Sequence, residues 1–322
     1  MQLWFDRCWR IVGREVREAV EGGHSAASFA RHGVRVAMHT NAYAGDDHRP
    51  WHDYDATVWS EFQDDLGRLW CGSLFAQPMN EYQLPLTMNE TAYALAISAV
   101  DYPELGGGLI VMNMNAREEL LFSSPEAESA LLAAFREVVE ISRPVFGIVG
   151  FGPAANADTG LEEHLRRLAI ESLDDSRRLL RGYSWVTVLP PEIAEVLGGR
   201  DELVASGAFY GVDPIPGGGL LLQATESWSE YDQDAATRVF EVLQPVLLEG
   251  AFASTFDVER MRGCSAALGG PRRAASRPDV RPAARLVGAA VRLRGPIGRR
   301  SHRFYRLSPG GGVGQRFRVP PA

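Results

Sequence analysis

Two stretches of the sequence, residues 103–115 and 214–226, resemble each other. Each contains three consecutive glycines followed by an apolar run. Glycine reaches positive φ angles at little cost, so each stretch is predicted to form a turn that leads into a β-strand. A helix is predicted after each strand, the first beginning at Ser124-Pro125-Glu126 and the second covering residues 232–243. This order predicts two divergent copies of a strand–strand–helix unit.

Further strands are predicted from aromatic-rich or apolar runs of strand length at residues 55–62, 69–75, 93–100, 145–149 and 183–189. Between the two halves, Thr159 and Glu162 have the spacing of a helix capping box. The capping box predicts a long connecting helix with a buried face formed by Leu161, Leu165, Leu168 and Ala169. Strands followed by helices, twice over, predict an α+β fold in which helices pack on one face of an antiparallel sheet.

The charge of the chain changes abruptly near residue 260. Lysine is absent, and all 33 basic residues are arginine. Residues 1–259 contain 18 arginines and 40 acids, a net charge of −22, whereas residues 260–322 contain 15 arginines and one acid, a net charge of +14. The C-terminal segment is rich in Arg, Pro and Gly and has no hydrophobic periodicity, so it is predicted to be a disordered tail. Translation in a shifted reading frame and a basic arm that binds nucleic acid or anionic lipid are two further interpretations.

These patterns divide the chain into three parts. Residues 1–52 are expected to be a poorly ordered N-terminal extension, because residues 1–37 carry a net charge of +2, unlike the acidic body, and Met38 is a plausible internal start. Residues 53–250 are expected to form the core, with similar halves at about 53–152 and 181–250 joined by the connecting helix. Residues 251–322 form the basic tail.

Several weak motifs resemble sites of chemistry. The loop at Gly150–Gly152 has the position of a dinucleotide-binding loop, but it lacks the third glycine and Pro153 removes a backbone amide. The sequence Gly23-His24-Ser25 resembles a nucleophile elbow in its letters, yet it follows a predicted helix and not a strand. We therefore predict no cofactor-binding residue and no catalytic residue.

Candidate metal ligands are also present, but none has a ligand spacing. Cys8, Cys71 and Cys264 lie far apart, which favours three free thiols over a disulfide framework or a metal pair. A polar stretch holds His39, Asp46, Asp47, His48, His52 and Asp53 without the regular spacing that would place them on one face. His164 is flanked by Glu and Arg, as expected on a solvated helix face. No metal site is predicted.

No run approaches the roughly 18 uninterrupted apolar residues of a membrane helix, and the N-terminus lacks the apolar centre of a signal peptide. A cytoplasmic protein without a membrane partner is therefore expected.

Residues 181–199 begin Arg-Gly-Tyr-Ser-Trp, continue as an apolar strand and a helix, and end in Leu-Gly-Gly. The glycine turn and apolar strand of residues 217–225 follow, and then a helix that ends at Pro245. Over residues 181–247 this pattern resembles the type VI secretion immunity family, bacterial proteins encoded beside toxins. The resemblance implies a cytoplasmic protein that binds and neutralises a toxin. The acidic body fits a basic partner, because charge complementarity speeds association.

A partner-binding loop is predicted between the last strand and the last helix. It presents two aromatic residues among three acids, a composition typical of binding hot spots: Glu226, Trp228, Glu230, Tyr231 and Asp232. The alternative is that both aromatics cover the edge of the core. At the level of function, the alternatives to a non-catalytic binding protein are a carboxylate-dependent enzyme and a nucleic-acid-binding protein that uses the basic tail.

Overall fold

In the computed structural model, the described residues are 1–21, 34–42, 52–66, 69–78, 95–102, 109–116, 121–122, 124–151, 159–167, 169–173, 175–250 and 284–292. The first half contains helices α1 (Gln2–Arg7), α2 (Arg14–Glu21), α3 (Ala56–Asp65) and α4 (Pro125–Ser142), with a π-helix at Cys8–Val12 between the first two. Its strands are β1 (Val34–Ala42), β2 (His52–Asp53), β3 (Leu69–Pro78), β4 (Leu95–Tyr102) and β5 (Leu109–Ala116).

The second half begins with β6 (Gly147–Phe151) and two short helices, α5 (Gly160–His164) and α6 (Ala169–Leu173). Strand β7 (Val186–Leu189), helices α7 (Pro191–Val196) and α8 (Gly199–Ala205), and strands β8 (Gly211–Pro214) and β9 (Leu220–Gln223) follow. A 3-10 turn at Trp228–Glu230 leads into α9 (Gln233–Leu243), and a second one at Gln244–Val246 follows it. Strand β10 (Ala284–Arg292) is the last described element.

All strand pairs are antiparallel, and the strand order is β2-β1-β3-β4-β5-β10-β6-β7-β9-β8. Without β10 the strands form one group of five and one group of four. The predicted α+β class is therefore confirmed. The predicted strand–strand–helix order is present twice, as β4–β5–α4 and as β8–β9–α9. Ser124 caps α4 as its sequence predicts, because its hydroxyl accepts the Ala127 backbone N–H at 3.2 Å.

The helices pack on one face of the five-stranded group. Along β4, Leu95, Ile97 and Ala99 are buried, whereas the residues between them are only partly buried. This alternation is what a strand with one covered face requires. The close approach of the helices is clear at Gly72, where a Cβ atom would lie 2.6 Å from Leu66 Cδ2 and 3.4 Å from Phe5. The four-stranded group differs, since every side chain of β7 is buried.

The N-terminal residues form part of this core. Trp4, Phe5 and Trp9 are at most 2% exposed, and Phe5 packs edge-to-face on Phe62 with ring centroids 5.0 Å apart. Arg7 also binds Glu137 of α4 through Nε and Oε2, 2.6 Å apart. The expectation of a poorly ordered extension is therefore wrong for residues 1–21, because three large apolar side chains outweigh the difference in net charge.

Two local predictions fail for reasons of capping and backbone geometry. Residues 55–62 form helix α3 and not a strand, because the Asp55 carboxylate accepts the backbone N–H groups of Thr57 and Val58 at 2.7 and 2.8 Å. The connecting helix begins at the predicted capping box but is broken after α5, where Arg166 has φ of 55°. This left-handed conformation ends the helix.

The segment Ala284–Arg292 lies between β5 and β6 and pairs with both strands. The prediction of a disordered tail is therefore wrong for these nine residues. They contain the β-branched residues Val287 and Val291, a type that favours strands. The other residues of the tail, 251–283 and 293–322, lie outside the described residues.

Candidate partner-binding surface

The loop between β9 and α9 is held in place by its own acids. Ser227 and Glu230 form a capping box around the 3-10 turn. Asp232 caps α9, because its Oδ1 accepts the Ala235 backbone N–H at 2.8 Å. The side chains of Glu226, Glu230 and Asp232 are nevertheless exposed. The predicted acids are therefore at the surface, and two of them also fix the backbone of the loop.

The two aromatic residues of this loop are buried, contrary to the predicted exposed anchors. Trp228 and Tyr231 are 3% and 2% exposed. Trp228 stacks on Phe122 with ring centroids 4.6 Å apart and packs edge-to-face on Trp185 at 5.7 Å. The alternative reading, in which both rings cover the edge of the core, describes their position. Neither ring can serve as an anchor while the loop keeps this conformation.

The exposed aromatic residue beside these acids is Tyr210, which was not predicted. Tyr210 is 61% exposed, and its hydroxyl donates to Glu226 Oε1 at 3.2 Å. The pKa of Tyr210 is raised, chiefly by this hydrogen bond and by the charge of Glu226, with a smaller effect of Glu230. We call Tyr210, Glu226, Glu230 and Asp232 the Tyr210 surface.

Hairpin pairing explains how Tyr210 reaches this loop. Its backbone N–H donates to the Ala224 carbonyl oxygen at 3.3 Å, which continues the β8–β9 ladder. Residue 210 thus lies opposite residue 224, two positions before Glu226. The glycine turn at residues 217–219 gave the sequence signal for this hairpin, and counting back from that turn would have placed Tyr210 beside the loop.

A fourth carboxylate supports the loop from α4. Glu128 Oε1 accepts the Trp228 backbone N–H at 3.0 Å. The pKa of Glu128 is raised, chiefly because the carboxyl is partly buried and also because Glu230 is negatively charged. The hydrogen bond from Trp228 lowers it in part. This carboxylate therefore has a structural role beneath the Tyr210 surface.

The chain around the Tyr210 surface is acidic and exposes apolar side chains. Residues 190–234 contain nine acids and one arginine, Arg200. Among the described residues, four large hydrophobic side chains are exposed: Ile141 at 64%, Val196 at 69%, Val204 at 50% and Tyr210 at 61%. The last three lie within residues 196–210. Apolar groups inside a polar rim are the usual composition of a protein-binding surface.

Arginines neutralise only part of this acidic segment. Glu192 pairs with Arg177 and Asp213 pairs with Arg136, each at 2.6 Å, and Asp201 lies 4.0 Å from Arg200. Within the described parts of the chain, no arginine forms an ion pair with Glu226, Glu230 or Asp232. Among the described residues, the negative charge of the Tyr210 surface is therefore uncompensated.

A buried ion pair lies in the segment that carries the family resemblance. Arg181 donates from Nε and Nη2 to the two carboxylate oxygens of Glu162 at 2.7 and 2.9 Å, and both side chains are at most 1% exposed. Glu162 also accepts the Thr159 backbone N–H at 2.7 Å, and the Thr159 hydroxyl donates to the Arg181 carbonyl oxygen at 2.7 Å. The predicted capping box is therefore present and is extended by Arg181. The pair joins α5 to the segment that leads into β7, and both side chains are too deeply buried to reach a substrate.

The weak motifs acquire no site in the described residues. Cys8 and Cys71 are free and buried, and burial raises the pKa of the Cys71 thiol to about 11. His164 is exposed on α5, and Asp53 pairs with Arg35 at 2.7 Å. Within the described ranges, no group of three His, Cys, Asp or Glu is placed to hold a metal ion. Three of the weak motifs lie wholly or mostly outside those ranges: the stretches at residues 23–25, 46–48 and 152–153.

A cleft of about 240 Å³ lies between the N-terminal helices and the start of α4. Its charged lining is mixed and consists of Arg10, Arg14, Glu15 and Glu126. It is remote in sequence from the Tyr210 surface and shares no residue with it.

None of the helices in the part of the chain that the structure describes has the length and apolar character needed to cross a membrane.

Comparison with solved structures gives a distant structural neighbour. No protein-family model and no curated protein matches the chain. Among solved structures, the chain is similar to Pseudomonas aeruginosa T6SS protein PA0821, with 13% sequence identity and a TM-score of 0.45. The alignment covers 83% of this chain and 84% of that protein.

Proposed function

We propose that this chain is a non-catalytic protein-binding protein, and that the Tyr210 surface is its binding site. The observation that carries the proposal is an exposed aromatic ring inside an acidic rim with which no described arginine forms an ion pair. Tyr210 is 61% exposed, and its hydroxyl is fixed by Glu226. Tyrosine is enriched in binding hot spots because it offers a large contact area with few rotatable bonds.

The kind of partner we propose is a toxin that the chain neutralises, as in an immunity protein. The support is the resemblance of residues 181–247 to the type VI secretion immunity family. The structure gives those residues a fold-forming role, because Arg181, Tyr183 and Trp185 are at most 1% exposed. The Tyr210 surface lies within the same stretch but consists of exposed residues, so it can vary with the toxin while the fold is retained. The proposed place of action is the cytoplasm.

The test uses the protein encoded by the gene beside this one. We expect that protein to stop the growth of a bacterial host when expressed alone, and growth to return when this chain is co-expressed. Tyr210→Ala and Glu226→Arg are expected to abolish rescue, because they remove the anchor and reverse the local charge. Glu140→Arg is the matched control, since Glu140 is an exposed acid on α4 outside residues 190–234.

Two results would contradict the proposal. One is full rescue by both Tyr210 surface variants at unchanged protein levels, which would place the interface elsewhere. The other is turnover of an ester, phosphoester, peptide or glycoside substrate that Glu128→Gln abolishes without loss of folding. The second result would establish the carboxylate-dependent enzyme instead, with Glu128 as its acid.

A further inference from the structure

The ring of Tyr210 is held in one place by charge. The Tyr210 hydroxyl donates a hydrogen bond to Glu226 Oε1, with the two oxygens 3.2 Å apart, and Glu230 is close enough to raise the pKa of the same hydroxyl. Negative charge next to the hydroxyl strengthens the attraction between the ring and any cation placed over its face. With 61% of its surface exposed, the ring has room for such a cation.

Among the described residues, no arginine forms a cation–π contact with the Tyr210 ring or an ion pair with Glu226. The one arginine of residues 190–234, Arg200, is directed elsewhere, because its Nε donates to the Val212 carbonyl oxygen at 3.1 Å. The sequence that precedes the ring also exposes apolar side chains, since Val196 and Val204 are 69% and 50% exposed. A complementary surface would therefore have to supply both positive charge and apolar contact.

We infer that the partner of this surface presents a basic, amphipathic protein segment, and that an arginine side chain of that segment lies over the Tyr210 ring and pairs with Glu226. The inference rests on the proposed function and names the chemistry of the partner. Arginine fits better than lysine, because its planar guanidinium can stack on the ring while its N–H groups bind the carboxylate.

The experiment measures binding of a fluorescein-labelled peptide of alternating arginine and leucine residues to the full chain by anisotropy. A matched lysine–leucine peptide tests the role of guanidinium geometry, and a matched glutamate–leucine peptide tests the role of charge. We expect the arginine peptide to bind most tightly and the glutamate peptide not to bind. Binding should weaken as salt is raised from 0.05 to 0.5 M, conditions that shorten the Debye length several-fold.

Four variants locate the contact. Tyr210→Leu, which keeps an apolar side chain but removes the ring, is expected to weaken the arginine peptide about two- to five-fold. Tyr210→Phe restores the ring and is expected to recover most of that loss. Glu226→Gln is expected to weaken binding by a similar factor, and Glu140→Gln, with the same change of charge on α4, is the control. Thermal melts verify that each variant is folded.

The inference is overturned if Tyr210→Leu binds as tightly as the unmodified chain, or if Glu140→Gln weakens binding as much as Glu226→Gln. Both results would mean that the peptide senses only overall charge. The proposed function fails separately. Peptide binding at Tyr210 without toxin neutralisation removes the immunity function but retains the inferred contact. Neutralisation lost in Tyr210→Leu without peptide binding retains the function and removes the arginine contact.

Discussion

Removing Arg181 should destabilise the protein more than removing any exposed arginine. In Arg181→Met the bidentate hydrogen bonds to Glu162, at 2.7 and 2.9 Å, are lost, while the Glu162 side chain stays fully buried. The Thr159 backbone N–H still donates to Glu162 Oε2 at 2.7 Å, but this neutral group does not replace the positive charge of the lost guanidinium. Breaking a buried pair on one side costs about 3–5 kcal/mol. For a fold of this size we expect the melting temperature to fall by roughly 6–20 °C.

The control for this variant lies four residues earlier. Arg177 pairs with Glu192 at 2.6 Å, but both side chains are more than 40% exposed. Because exposed pairs contribute less than about 1 kcal/mol, Arg177→Met should lower the melting temperature only slightly. The double variant Arg181→Met with Glu162→Met should recover part of the loss, since it leaves no buried charge. Equal melting temperatures for Arg177→Met and Arg181→Met would refute the assignment of Arg181 to a closed ion pair.

Three further predictions concern the parts of the chain that the sequence misassigned. Phe5→Ala should lower the free energy of unfolding by about 3–5 kcal/mol in urea melts, because its ring is fully buried against Phe62; a loss below about 1 kcal/mol would show that α1 is not docked. The hydrogen bond from Arg7 lowers the pKa of Glu137, so this pair stabilises the fold at neutral pH and the stabilisation is lost as the pH falls through that lowered pKa. The stability difference between the unmodified chain and Arg7→Met should therefore shrink below about pH 4. Truncation after Gly250 removes β10 from between β5 and β6 and should lower the melting temperature, whereas an unchanged melt would show that β10 does not hold the two strand groups together.

Local sequence patterns predicted the second half of the fold well, because its signals are short-range. The capping box at Thr159 and Glu162 involves residues three positions apart, and the glycine turn at 217–219 defines the register of its hairpin. The N-terminal helices were misjudged for the opposite reason. Trp4, Phe5 and Trp9 become core only when α1 and the π-helix meet β3, α3 and α4, and no local pattern records those distant contacts.

The site shows the same division between local and distant information. The acids of the predicted loop are exposed, as composition alone indicates for charged residues. The choice of aromatic was wrong because Trp228 is buried by Phe122, more than 100 positions away in sequence. Tyr210 reaches the loop through hairpin pairing, a medium-range contact that the glycine turn implies. The residues of the Tyr210 surface were therefore predictable from the sequence only where hairpin geometry was applied as well as composition.

Burial of Trp228 and Tyr231 has a consequence for binding that an exposed loop would not have. The two rings stack at 5.9 Å and fix the middle of the loop to the core, while Glu230 and Asp232 hold its two ends through capping hydrogen bonds. The exposed carboxylates are thus held on a rigid backbone before a partner arrives. A partner that binds them does not have to order the loop, and the entropy cost of association is reduced accordingly. If the proposed function holds, Trp228→Ala should consequently weaken partner binding although the Trp228 ring is buried outside the Tyr210 surface. The loss should come from faster dissociation or from a less populated binding conformation. Measured association and dissociation rates for Trp228→Ala and Tyr210→Ala would separate the two roles. Equal loss of loop order in both variants, seen as equal increases in backbone hydrogen exchange at residues 226–232, would show that Tyr210 also acts by holding the loop and not as the anchor.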